Sequence, residues 1–283
     1  MITQLPPRLL SARVRADFRE AERRRRDRGA ATAGLDLRQL AAVARVWDDA
    51  VADVPYYSAL VRDGRAPRTI RAMADLKAVP ILLRKEIQDQ PEAFIRRSHA
   101  PDQFISTAGS TGTPLRLGSS EAERRLLRVV KLASWQEFGY RSDSRLFLIW
   151  AHPHVLGPGW RGFYQRVRRA TTDRFLGYRR VSAYRLDRRR CESIAEELIR
   201  FKPQGLIGYS AALDLFARYT AHHRQRFREL SLGFVLSTTE APPRADTVAN
   251  LADLFGCPVV QEYGGVDFGQ VALKVGDQPF EVY

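Results

Sequence analysis

Apolar residues recur along this chain in two alternating periods. Near the N-terminus the period is helical. Leu37, Leu40, Val43, Ala44 and Trp47 fall at three- and four-residue steps and predict a helix over 37–51. Before it, 7–28 predicts an exposed basic helix with a thin apolar side of Ala12, Val14, Ala16, Phe18 and Ala21. Pro55 closes this part, because the residue before a proline is pushed out of the helical region. Short helices are expected over 70–77 and from Arg84, and Ile105 reads as the end of a strand. The run 120–138 predicts a longer helix with Leu126, Leu127, Val130, Leu132 and Trp135 on its apolar face.

From Arg145 onward, short apolar runs alternate with helical ones. Strands are expected at 145–150, 181–183, 232–237 and 258–262, and 205–210 reads as strand, then loop. Helices are expected between them at 161–172, 191–201, 211–223 and 246–255, with Gly256 as the last helix's cap. This alternation predicts an α/β fold with a mostly parallel sheet layered with helices. In such sheets the ligand lies beyond the carboxyl ends of the strands. The loops 107–114, 151–159, 208–210, 238–241 and 263–269 all follow expected strands and are expected to gather on one edge.

Composition narrows the class. The chain has 283 residues, 45% of them hydrophobic, enough for one large α/β domain or two smaller ones. No run approaches the ~20 apolar residues of a membrane span. The first residues lack the zones of a secretory signal, so a cytoplasmic location is expected. Cys191 and Cys257 are too few for a disulfide framework and read as small buried residues. The net charge is +14, mostly from arginine, with runs at 23–28, 166–169 and 185–190. Such a field attracts polyanions. The charge is spread out, however, and no nucleic-acid-binding motif accompanies it, so it reads as a solvated arginine-rich surface. His99, His222 and His223 read as surface residues, and His152 and His154 as loop or pocket-wall residues.

Two stretches carry chemistry. Thr107-Ala-Gly-Ser-Thr-Gly-Thr-Pro114 joins glycines, which turn the backbone sharply, to the hydroxyls of Ser110, Thr111 and Thr113. Backbone N–H groups and hydroxyls that converge in this way suit a phosphate. The loop lacks the Gly-Lys-Ser/Thr ending of a Walker motif. Downstream, Glu262-Tyr-Gly-Gly-Val-Asp-Phe-Gly269 sets glycines beside two acids.

Together with Val54-Pro-Tyr-Tyr57, Val79-Pro-Ile-Leu82, Lys85-Glu86, Gly208-Tyr-Ser210, Thr239-Glu240, Arg244 and Phe255-Gly256, these stretches stand in a recognisable order. The chain resembles the phenylacetate–CoA ligase family, including its capsular polysaccharide biosynthesis relatives, within the adenylate-forming superfamily. The resemblance implies that residues 53–283 form the large N-terminal domain of that fold, after a helical segment at 1–52. It implies ATP-dependent activation of a carboxylic acid, aryl acids included, to an acyl-adenylate. Transfer to coenzyme A or another acceptor follows.

In that scheme Thr107, Gly109, Ser110, Thr111, Gly112 and Thr113 hold the phosphates. Thr111 and Asp267 are the catalytic pair, and Asp267 serves Mg²⁺. Glu240, Ala241, Glu262, Tyr263 and Gly264 line the adenine pocket. Trp150, His152, Tyr209 and Gly265 line the acid pocket. The implied partners are a small carboxylic acid and a coenzyme A or carrier-protein acceptor, with no specific nucleic acid; the oligomeric state is open, a dimer included.

Two departures stand out. Thr113 occupies the place of a lysine common in relatives, and Val266-Asp267 that of a Thr-Glu pair. Family members also continue into a small C-terminal domain with a catalytic lysine, whereas this chain stops at Phe280-Glu-Val-Tyr283, so a shortened form is expected. The alternatives are a degenerate, non-catalytic nucleotide- or acyl-binding module of the same fold and a basic polyanion-binding protein.

Overall fold

A computed structural model describes residues 16–23, 35–106, 115–141, 143–150, 159–265 and 268–282. It divides into two compact units, 26–127 and 128–283 together with the first 25 residues.

The larger unit is built on strands β3 (Leu146–Ile149), β4 (Tyr178–Val181), β5 (Gly205–Tyr209), β6 (Phe234–Thr238), β7 (Val259–Gly265), β8 (Gly269–Val275) and β9 (Glu281–Val282). They form one seven-stranded sheet in the order β4-β3-β5-β6-β7-β8-β9. The pairs from β4 to β7 are parallel, and β8 and β9 add antiparallel. The predicted α/β, mostly parallel sheet is therefore the observed one.

Strands β3, β5 and β6 are buried almost throughout because both sheet faces are covered there. Phe147, Ile149, Leu206, Val235 and Val259 point to one side. There they meet the buried faces of α8 (Arg188–Phe201), α9 (Ser210–Thr220) and α11 (Thr247–Phe255). Leu146, Leu148, Ile207, Phe234, Leu236 and Val260 point to the other. They meet Val129, Leu132, Ala133 and Trp135 of α6 (Glu121–Gln136) and Ala21 of the helical segment α1 (16–23). Burial of each large side chain contributes about 1.5–3 kcal/mol. Asp17 of α1 is 2% exposed and pairs with Arg128 Nε at 3.0 Å.

Local signals set the helix ends. The Asp187 carboxylate accepts from Arg190 N at 2.7 Å to start α8, and Lys202 ends it in the left-handed region. Gly256, φ +67°, ends α11 as expected. Three details differ from the sequence reading. The strand expected at 181–183 lies at Tyr178–Val181. Leu126 is exposed on α6 and Val129 takes its place in the core, because the buried stripe lies three residues further on. Ser210 begins α9 directly, with no loop after β5.

The smaller unit holds α2 (Leu35–Asp53), α3 (Pro55–Arg62), α4 (Met73–Lys77), α5 (Arg84–Asp89) and a 3₁₀ turn at Pro91–Phe94. It also holds an antiparallel pair, β1 (Gln103–Ser106) and β2 (Arg116–Ser119). Val54 and Pro55 break α2 from α3 as predicted, with the proline in the first turn of α3. Rings of Trp47, Tyr56, Tyr57 and Phe94 pack together, and Tyr56 Oη donates to Glu86 Oε1 at 2.8 Å. Asp53 accepts from Ser98 N, Ser98 Oγ and Arg96 Nε, and these bonds lower its carboxyl to about 2. The glycine stretch 107–114 lies outside the described residues, but the strands on either side of it form their own two-stranded sheet. The strand before the stretch, β1, pairs with β2 and not with the parallel sheet, and the helix expected from 120 begins after β2 at Glu121.

Candidate active site

The strand order reverses at one place. The chain leaves β3 for β4 on one side and returns to β5 on the other, so β3 and β5 flank a topological switch point. Such a point opens a crevice at the carboxyl ends of the strands. Trp150 follows β3 and Tyr209 ends β5, and their rings stack with centroids 4.5 Å apart and planes 30° apart. Trp150 N donates to Val181 O at 2.8 Å, which fixes its backbone to the neighbouring strand. Gly208 allows the close approach beneath, since a Cβ there would stand 2.9 Å from Leu213 Cγ and 3.3 Å from Ile149 O.

One strand along the sheet, a polar lock joins the ends of β5 and β6. Ser210 Oγ lies 2.7 Å from Ser237 Oγ and 2.7 Å from Glu240 O. Glu240 Oε1 accepts from Ala211 N at 3.0 Å, capping the start of α9 with a negative charge. The loop after Glu240 is held by Asp214 of α9, 6% exposed. Its Oδ1 accepts from Arg244 Nη2 at 2.9 Å and Thr247 Oγ1 at 2.8 Å. This hydrogen bond pushes the Arg244 guanidinium above its ordinary value. Thr239, just before Glu240, sits at φ +76°. A β-branched residue is strained there.

The Tyr-Gly stretch is a hairpin and not a loop. Tyr263, Gly264 and Gly265 extend β7 and pair with Ala272, Gln270 and Gly269 across a bulge. A Cβ on Gly264 would stand 2.4 Å from Gly269 O, so only glycine fits. Successive residues alternate faces. Tyr263 is exposed, with Phe268 and Phe280 centroids 6.4 and 6.0 Å away. Glu262 points to the α6 side, where Oε1 lies 3.3 Å from Lys131 Nζ. Beside it, Ser134 Oγ donates to Gln270 Oε1 at 3.1 Å. Glu262 Oε2, Gln270 Nε2 and Trp135 Nε1 are buried with no hydrogen-bond partner among the described residues.

The structure thus gathers Trp150, Tyr209, Glu240, Ala241 and the Glu262–Gly265 hairpin along one edge of one sheet. It sets Glu262 and Tyr263 on opposite sides of their strand, so they do not line one face of a single ring. Thr107, Gly109, Ser110, Thr111, Gly112, Thr113, His152 and Asp267 lie outside the described residues. Of the described carboxylates at this edge, Glu240 engages Oε1 at a helix start and Glu262 turns Oε1 to a lysine. Cys191 and Cys257 are buried, and burial pushes their thiols up to about 11 and about 12.

Sequence reasoning singled out Ser210 within Gly208-Tyr-Ser210 but missed Ser237, Asp214, Lys131, Ser134 and Gln270. Only Lys131 left a trace, as a charge inside the stretch 129–135 that packs on the sheet.

No family model and no curated protein matches the chain. Solved structures do. It is similar to 2-hydroxyisobutyryl-CoA ligase in complex with 2-HIB-AMP and CoA in the thioesterification state, with TM-score 0.64 and 16% identity, covering 88% of this chain and 53% of that one. An open conformation of that ligase with the same ligands gives TM-score 0.59 and 14% identity over 80% of this chain and 52% of that one. Its postadenylation state with 2-HIB-AMP gives 0.56 and 15% over 80% and 47%. The chain spans about half the length of these structures. The likeness shows the fold alone, a mostly parallel α/β domain like that of the 2-hydroxyisobutyryl-CoA ligase structures.

Proposed function

We propose that this chain carries the large domain of an enzyme that activates a carboxylic acid with ATP and passes the acyl group to coenzyme A. The observation behind this reading is the edge just described. A stacked aromatic pair fills the switch point, beside a locked Glu240 turn and a hairpin holding an unpaired buried carboxylate oxygen.

The reaction brings a carboxylate onto the α-phosphorus of ATP, forms an acyl–phosphate bond and expels pyrophosphate. Both reactants are anions, so positioning and charge neutralisation dominate the barrier. In this reading Glu240 and Ala241 meet the adenine edge, and the exposed Tyr263 ring stacks on its face. Trp150 and Tyr209 wall the acid pocket, which suits a flat, aryl acid. Because Glu262 faces α6, away from Tyr263, it serves the acid side with Lys131 and Gln270 and favours an acid with a polar substituent. The 107–113 loop takes the leaving phosphates and Asp267 the magnesium, both carried over from the family resemblance. The phenylacetate–CoA ligase assignment is the finer form of this proposal.

Mg²⁺-ATP titrated calorimetrically into the chain tests the nucleotide site, with Gly264→Val as the variant that cannot close the hairpin. Saturable heat lost in the variant is expected. Pyrophosphate release is then followed against aryl acids with and without polar substituents, and release that ignores the added acid overturns the ligase reading. Binding of ATP without release under any acid would favour the non-catalytic module.

A further inference from the structure

Three metal-binding side chains converge where the start of α8 meets the turn after α9. Glu192 lies in the first turn of α8, and His222 and His223 form a 3₁₀ turn (Ala221–His223) just after α9. Glu192 Oε1 is 3.3 Å from His222 Nε2, and Oε2 is 2.9 Å from His223 Nε2. One ligand atom from each residue lies within 4.8 Å of the others. No other such group occurs among the described residues. Ligand atoms around a tetrahedral zinc ion, with bonds of about 2.0–2.1 Å, stand about 3.3 Å apart. The two carboxylate–imidazole spacings, 3.3 and 2.9 Å, lie at or just below that value.

We propose that Glu192, His222 and His223 bind a zinc-class divalent cation that clips the start of α8 to the turn after α9. Two imidazoles and one carboxylate are a borderline donor set that favours late first-row ions over magnesium or calcium. Water takes the fourth position.

The neighbours set the terms of binding. His223 is 12% exposed at its side chain, backed by Phe227 with ring centroids 5.7 Å apart. Arg226 Nη1 lies 3.3 Å from His223 Nδ1, and an arginine only donates. The neutral ring therefore keeps its proton on Nε2 and gives it to Glu192. Zinc on Nε2 moves that proton to Nδ1 and turns Arg226 from a partner into a competitor. Glu196 holds Arg226 with both carboxylate oxygens. Once Arg226 swings away, Glu196 is the acceptor for Nδ1–H, the second partner that metal-bound histidines use.

The test uses the whole chain and two probes. Zn²⁺ is titrated by calorimetry, and Co²⁺ is followed by its visible d–d absorption. Wild type is expected to bind one ion per chain, with a rise in melting temperature. His223→Ala and Glu192→Gln each weaken binding by at least the about 10–100-fold that a second-shell change costs. Arg226→Ala strengthens it, which a purely structural hydrogen-bond cluster would not do. Glu192→Gln keeps the shape of the side chain, so it decides the matter if a histidine variant misfolds. Equal Co²⁺ spectra in wild type and Glu192→Gln, or binding that never saturates, overturns the proposal.

Discussion

The two faces of the seven-stranded sheet differ in what they leave unfinished. The face under α8, α9 and α11 is largely apolar, and most of its buried polar groups are paired, Arg145 Nε over the Phe201 ring being an exception. Ser210 meets Ser237, and Asp214 meets Arg244 and Thr247. The face under α6 is apolar over β3, β5 and β6 but turns polar over β7 and β8. There Glu262, Gln270 and Trp135 keep buried atoms without partners. A buried polar atom without a partner costs about 1–3 kcal/mol. One face therefore secures the fold, while the other gives up stability at the spot where the proposed ligand binds.

The largest break falls on the dry face. Phe216 is fully buried against Phe227. Phe216→Ala should cost about 3–5 kcal/mol, read as a lower denaturation midpoint with unchanged slope. Asp214→Ala comes next. It leaves Arg244 and Thr247 without their acceptor, for about 1–3 kcal/mol, and loosens the turn bearing Glu240. If the turn belongs to the nucleotide site, ATP affinity falls as well, whereas Phe216→Ala leaves the affinity of the folded fraction unchanged.

The α6 face predicts a different pattern. Lys131→Met strands the Glu262 carboxylate, 9% exposed at its side chain, and should cost about 1–2 kcal/mol, because Lys131 itself is partly solvated. Adding Glu262→Leu should recover that loss, since replacing a buried ion pair by apolar groups is often neutral. A double variant as stable as wild type but unable to release pyrophosphate would separate the two faces cleanly. A double variant far less stable would mean that the pair serves the fold.

This contrast also explains what the sequence made legible. The dry face follows from unbroken apolar runs such as Leu146–Ile149 and Leu206–Ile207 and from helices with one apolar stripe. Both faces being covered is what makes those runs readable as parallel strands. The ends of these strands put Trp150, Tyr209 and Glu240 at one edge of the sheet, as the alternation implied. The polar seam did not follow, because Lys131, Ser134, Glu262 and Gln270 are far apart in the chain and polar residues on a helix read as solvent-facing. The Tyr-Gly hairpin was misread as a loop because glycines signal turns, while here Gly264 answers a 2.4 Å approach of the opposite strand. The separate β1–β2 pair was missed because Arg116–Ser119 is short and half polar, with no apolar run to announce it.

The smallest expected effect concerns Thr239, at the edge where the two faces end. Its φ of +76° costs a threonine about 1–3 kcal/mol, and its hydroxyl returns only a local bond to Thr238 O at 2.5 Å. Glycine adopts this backbone freely but loses about 0.5–1 kcal/mol of chain entropy. Thr239→Gly should therefore gain about 1 kcal/mol, seen as a higher denaturation midpoint. Glycine holds the same backbone without strain, so the change should leave ATP affinity intact under the proposed function. A gain in stability with lost affinity would mean instead that the strained threonine positions Glu240.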